Sequence, residues 1–129
     1  MLTGKYKLNI CLGPSIPGFP DIKISKENPP LTKITTGDGT KKIPHTIEFF
    51  EENGVMKAIH TTPCGKQKVD NVTYSDYSAA WTAYAGSEGV EVFHFVMIMS
   101  ESTDAVWGFT AGISPFFRRF TPFEGVKVG

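Results

Sequence analysis

Three histidines, His45, His60 and His94, are the side chains of this sequence best suited to acid–base or metal chemistry. None stands beside a cysteine or a carboxylate at metal-ligand spacing, so no zinc or iron site is expected. The sequence also lacks a G-x-S-x-G elbow, a glycine-rich phosphate loop followed by a helix, and paired carboxylates in an apolar setting. No catalytic activity is therefore expected. One alternative stays open, an enzyme that cyclises or isomerises an apolar substrate with acid–base help from His94 or Asp76.

An aromatic and basic cluster lies near the end of the chain, where four phenylalanines and the pair Arg118-Arg119 follow Trp107 within thirteen residues. Aromatic and basic side chains together are typical of sites for single-stranded nucleic acid. Alternation along a strand places the two arginines on opposite faces, however, and 13 Lys and Arg balance 13 Asp and Glu. Neither nucleic acid nor a membrane surface is therefore expected as a partner.

A third candidate site surrounds Trp81, in the stretch NVTYSDYSAAWTAYA. Alternation places Tyr77, Ala79, Trp81 and Ala83 on one face of a strand. The small residues leave space over the indole ring, and ligand pockets are mostly apolar with few polar anchors. This face is therefore a candidate pocket wall.

The elements that must position these residues are strands, because the dominant hydrophobic period is two. Strands are predicted at 6–11, 21–25 and 31–36, and Asn53-Gly54 between alternating runs predicts a type I′ hairpin. The strand before that turn places Ile43, His45, Ile47 and Phe49 on one face. About eight short strands with tight turns are typical of an antiparallel barrel or sandwich, here one domain over residues 1–129.

The run FHFVMIM, residues 93–99, is apolar on both faces of its predicted strand. It fits the central strand of a sandwich, or a barrel wall that packs against a second subunit, and the sequence leaves both open. Cys11 and Cys64 are expected to be free thiols. The first residues, MLTGKYKLN, have no apolar stretch of signal-peptide length, which predicts a cytoplasmic protein or a mature secreted domain.

Two segments carry a family resemblance. The opening LTGKY followed by NICLG resembles the first strand of avidin and streptavidin, and residues 77–120 resemble the last four strands of that family in order, spacing and turn positions. The resemblance implies an eight-stranded, up-and-down antiparallel barrel of the calycin type. It also implies non-covalent biotin binding without a cofactor, and a homodimer or homotetramer.

The same resemblance implies roles for individual residues. Trp81 matches an aromatic pocket wall, Trp107 matches a tryptophan that reaches a neighbouring subunit's ligand, and Asn9 and Thr36 match polar groups around the ligand. Ile34 stands where the family keeps a tyrosine, and Ala79, Met97 and Ser114 replace a hydroxyl, a tryptophan and an acid or amide, so a ligand more apolar than biotin is also plausible. The full predicted ligand-binding set is Asn9, Thr36, Tyr77, Ala79, Trp81, Met97, Trp107 and Ser114.

A second resemblance, to the lipocalins, rests on VTYSDYSAAW followed by VFHFVMIMSES. It implies a carrier of a hydrophobic ligand in a barrel of the same broad class. A further alternative treats the aromatic residues as a filled core and the protein as an interaction module, and it predicts no pocket.

Overall fold

The computed structural model describes residues 2–12, 21–24, 32–35, 41–63, 65–85, 91–113 and 118–129. These residues form strands and turns, and none belongs to a helix long and apolar enough to cross a membrane. The strands are β1 (Gly4–Leu12), β2 (Asp21–Ile24), β3 (Thr32–Thr35), β4 (Lys41–Glu52), β5 (Val55–Thr62), β6 (Gly65–Val69), β7 (Val72–Tyr74), β8 (Ser78–Ala85), β9 (Glu91–Met99), β10 (Ala105–Ile113) and β11 (Arg118–Lys127).

Nine of the described strands form one antiparallel sheet in the order β6-β5-β4-β1-β11-β10-β9-β8-β7. Pairing of β1 with β11 joins the first and last strands. Strands β2 and β3, which lie between β1 and β4 in the sequence, pair with each other in a separate two-stranded sheet. The sheet rolls into a nearly closed barrel, which confirms the predicted all-β antiparallel barrel. The prediction of eight strands is wrong, because Asp70 and Asn71 divide one segment into β6, which pairs with β5, and β7, which pairs with β8.

A side chain contributes to the closure between β6 and β8. The Gln67 Nε2 donates to the Tyr84 carbonyl oxygen at 2.6 Å, and the Tyr84 amide donates to the Gln67 Oε1 at 2.9 Å. Strand β7 pairs only with residues 79–81 of β8. The Gln67 amide therefore takes the place of a backbone rung further along β8.

The Asn53-Gly54 turn sets the register of β4 against β5. Both residues have positive φ, 54° and 78°, as a type I′ turn requires, and Glu52 pairs with Val55 across it. This confirms the predicted hairpin. We call this end of the barrel the hairpin end, and the opposite end, where β1 ends at Leu12, the distal end.

The core lies inside the barrel and follows from alternation along the strands. The core packs closely against the backbone at Gly108 on β10. A Cβ there would overlap the Val96 carbonyl oxygen and lie 2.8 Å from the Phe123 ring, so this position requires glycine. The largest side chains in the interior with under 2% exposure are Tyr6, Phe49, Leu8, Ile47, Met97, His60 and Thr121. Full burial of one such apolar side chain stabilises the fold by about 1.5–3 kcal/mol.

The apolar run on β9 supplies both faces of the barrel wall. Phe95 and Met97 point inward and are buried, whereas Val96 and Ile98 point outward and are 49% and 42% exposed. Of the two interpretations left open by the sequence, the strand belongs to a barrel wall. A second subunit against its outer face stays a prediction.

Candidate functional site

Polar and aromatic side chains gather in the barrel interior near the distal end. They lie on six different strands, each two to four residues from the distal end of its strand. We call this group the distal layer, and it consists of His45, His60, Trp81, Phe95, Thr110 and Thr121. Among the described residues, the buried polar or charged side chains are His60, Thr110 and Thr121, so all of them belong to this layer.

A chain of hydrogen bonds fixes the protonation of the two histidines. The Trp81 Nε1–H can only donate, and it lies 3.0 Å from the His60 Nδ1, which must accept. The proton of neutral His60 is then on its Nε2, which donates to the His45 Nδ1 at 2.9 Å. His45 in turn carries its proton on Nε2, which is the outer end of the chain.

Burial keeps both imidazoles neutral. It lowers the pKa of His45 to about 4, and it lowers the pKa of His60 to about 3, with a smaller contribution from the nearby His45. The pair is therefore uncharged at neutral pH, and a proton on either ring would break the hydrogen-bond chain.

Aromatic rings surround the histidine pair. Phe95 stacks on Trp81 with centroids 5.3 Å apart and an interplanar angle of 2°, and its ring lies 4.7 Å from His60. Phe49 meets Trp81 edge-on at 5.4 Å. The space that the sequence predicted over the Trp81 ring is thus occupied by Phe95, and Trp81 is part of the packed interior.

Two threonines complete the distal layer. Thr110 and Thr121 are partners across β10 and β11, and they are 5% and 1% exposed. Among the described residues, the Oγ1 of each has no hydrogen-bond partner. Leaving a buried hydroxyl unpaired costs about 1–3 kcal/mol, so two adjacent ones call for a physical explanation.

The residues predicted to bind ligand are dispersed. Ala79, Trp81 and Met97 are buried together in the interior, where Ala79 and Met97 pair across β8 and β9. Asn9 is exposed on the outer side of β1. Tyr77 and Trp107 are 50% and 47% exposed.

Thr36 and Ser114 lie outside the described residues, as do Cys64 and the segment after Leu12.

The two candidates for acid–base catalysis, His94 and Asp76, do not lie in one site. His94 is exposed on the outer face and contacts the Thr82 hydroxyl at 3.0 Å, while Asp76 lines a cleft at the hairpin end.

That cleft has a volume of about 190 Å³. Tyr6 forms part of its wall and donates to the Leu2 carbonyl oxygen at 2.7 Å. Burial raises the pKa of Tyr6, and the nearby Asp104 adds to this. Within the described part of the chain, no three His, Cys, Asp or Glu side chains are placed to hold a metal ion.

Sequence reasoning missed the His45–His60 pair, although the signal was present. The two-residue turn fixes Ile47 opposite His60, which places His60 diagonally next to His45 on the inward face.

No protein-family model, no curated protein and no solved structure matches this chain.

Proposed function

We propose that the barrel binds a small molecule without catalysis, and that the distal layer is where the polar part of that molecule is held. The observation that carries the proposal is the pair of unpartnered hydroxyls on Thr110 and Thr121. A ligand that bonds to them recovers a free-energy cost that the protein otherwise bears. Antiparallel barrels of about this size either fill their interior with side chains or hold one small ligand there.

Two other features support the same place. The neutral Nε2–H of His45 is a donor at the edge of the layer. The centroid of the Phe95 ring lies 6.1 Å from that of His45, and the centroid of the Phe123 ring lies 6.2 Å from that of Phe95, so the two rings supply flat apolar walls. Ligand sites combine such walls with a few fixed polar groups.

Biotin, or a more apolar ligand in a lipocalin-like mode, is the proposed ligand class. The resemblance to avidin supports biotin through Trp81, which is an interior aromatic wall. The Nε1–H of Trp81 is already bonded to His60, so the indole has no donor left for a polar ligand such as biotin. This favours the apolar alternative over biotin.

The fluorescence of Trp81 tests this function. In a Trp107→Phe variant the only remaining tryptophan is Trp81, and it is titrated with biotin and with the neutral dye N-phenyl-1-naphthylamine. A saturable change with either compound supports the proposal. No change with either compound at millimolar concentration rejects it, and a response to the dye alone rejects biotin.

A second proposal concerns the outer wall and commits to a second copy of this chain. The described outward side chains of β8, β9 and β10 include no Asp, Glu, Lys or Arg, and Val96, Ile98, Trp107 and Phe109 are adjacent and exposed. An uncharged face meets its own copy without repulsion, and monomers rarely expose large apolar patches.

Sedimentation equilibrium tests this association. The wild-type protein is expected to form a dimer or tetramer and the Trp107→Glu variant a monomer. The matched control is Val55→Glu, at an exposed residue beside the hairpin turn, which should leave the oligomer unchanged. A monomeric wild-type protein at 100 μM would overturn the proposal.

A further inference from the structure

We infer that the ligand of the distal layer is an uncharged, mainly apolar molecule whose polar group is a hydrogen-bond acceptor, such as a ketone or ester carbonyl. This inference rests on the proposed function and adds the chemistry of the ligand.

The layer offers donors to an acceptor atom. The hydrogen-bond chain from Trp81 leaves His45 with a proton on Nε2, and a neutral imidazole N–H donates one bond. The hydroxyls of Thr110 and Thr121 can each donate one more. A carbonyl oxygen has two lone pairs and can accept from two of these groups at once.

The layer does not offer a counter-charge. No Lys or Arg is among the buried polar or charged side chains of the described residues. Burial holds the pKa of His45 at about 4, so a proton for an ion pair with a carboxylate is costly at neutral pH. A carboxylate would therefore lose its hydration without a compensating ion pair from the described residues.

Four apolar residues lie between the layer and the distal end. Ile10 and Ala83 are buried there, and Ile43 and Phe93 are partly buried against the core. The described interior on this side of the donors is therefore mainly hydrocarbon, which matches an apolar body that carries one polar group.

Three probes of nearly equal shape test the inference at pH 7.5: acetophenone, benzoate and isopropylbenzene. Each competes with N-phenyl-1-naphthylamine for the Trp107→Phe protein. We expect acetophenone to bind about tenfold more tightly than benzoate and several-fold more tightly than isopropylbenzene, since one or two hydrogen bonds distinguish them.

Variants then assign the preference to the threonines. In the double variant Thr110→Val/Thr121→Val, acetophenone and isopropylbenzene should bind within twofold of each other. The matched control is Thr73→Val, an exposed threonine on β7, which should retain the full ketone preference.

The outcomes separate this inference from the function on which it rests. If the dye binds but benzoate competes as well as acetophenone, the uncharged ligand class is overturned and the binding function stands. A ketone preference that survives in the double valine variant overturns the role of the threonines. If the dye and all three probes fail to bind, both proposals fall.

Discussion

The Trp81 indole N–H donates to the Nδ1 of His60 at 3.0 Å, and this one bond determines the proton positions on two histidines. A tryptophan N–H cannot accept, so the direction of the chain runs from Trp81 through His60 to His45. The histidine pair is therefore both neutral and oriented. The stability of the protein and the donors that the two histidines present depend on that protonation state.

Acid is expected to destabilise the protein through these histidines. Their pKa values in the folded protein are about 4 for His45 and about 3 for His60, against 6.5 in the unfolded chain. Between these pKa values the unfolded chain binds more protons than the folded protein. The contribution of the two histidines to the free energy of unfolding is therefore complete above pH 6.5 and is lost as the pH falls. Protonation of each histidine should lower the free energy of unfolding by about 2 kcal/mol between pH 7.5 and pH 5. Urea unfolding across this range measures the loss.

The control for the acid effect is His94→Gln, at an exposed position, which should show the wild-type slope. A His60→Gln variant should start less stable and lose less stability on acidification. A wild-type free energy of unfolding that stays constant from pH 7.5 to 5 would contradict the neutral buried pair.

Replacement of Trp81 by phenylalanine should release the tautomer of His60. Without the indole donor, the His60 Nδ1 becomes an unpaired buried acceptor, and stability should fall by about 1–3 kcal/mol beyond the loss of ring volume. Nitrogen-15 NMR of the imidazoles distinguishes the tautomers directly. An unchanged His60 spectrum in the variant would show that Trp81 does not set its proton.

The threonine hydroxyls predict an unusual stabilisation. Thr121→Val removes a buried unpaired hydroxyl at nearly constant volume and should raise the free energy of unfolding by about 1 kcal/mol in the ligand-free protein. Thr110→Val should act in the same direction. Thr73→Val, which is exposed, should change stability by less than about 0.5 kcal/mol. Loss of stability in both buried variants would mean that the hydroxyls are already bonded.

Loss of the hydrogen bonds between the Gln67 side chain and the Tyr84 backbone should change hydrogen exchange locally. Gln67→Met keeps the length of the side chain but cannot accept from the Tyr84 amide, so that amide should exchange faster. The amide protons in the β10–β11 ladder should be unaffected. Equal protection of the Tyr84 amide in both proteins would show that another group closes the barrel there.

Alternation predicted much of this fold because each strand buries one face. It placed Ile47 and Phe49 inward and made Asn53-Gly54 a hairpin turn, and both expectations are confirmed. It did not predict the division into β6 and β7 at Asp70 and Asn71, since that division depends on pairing with two different neighbours.

The candidate site was harder to predict for a similar reason. Trp81 was selected from its own strand, but Phe95 is its partner on the neighbouring β9, and His60, on β5, meets it only across the closure of the barrel. The threonines gave no sequence signal. A buried threonine looks like any strand threonine until its hydroxyl is seen without a partner.

The most direct test of a ligand site in the distal layer is to locate a bound probe by NMR. With N-phenyl-1-naphthylamine present, we predict intermolecular NOEs from the dye to the methyl groups of Thr110 and Thr121 and to the His45 ring. NOEs confined to Met99 and Ala105 at the hairpin-end cleft, or to Val96 on the outer face, would contradict the account.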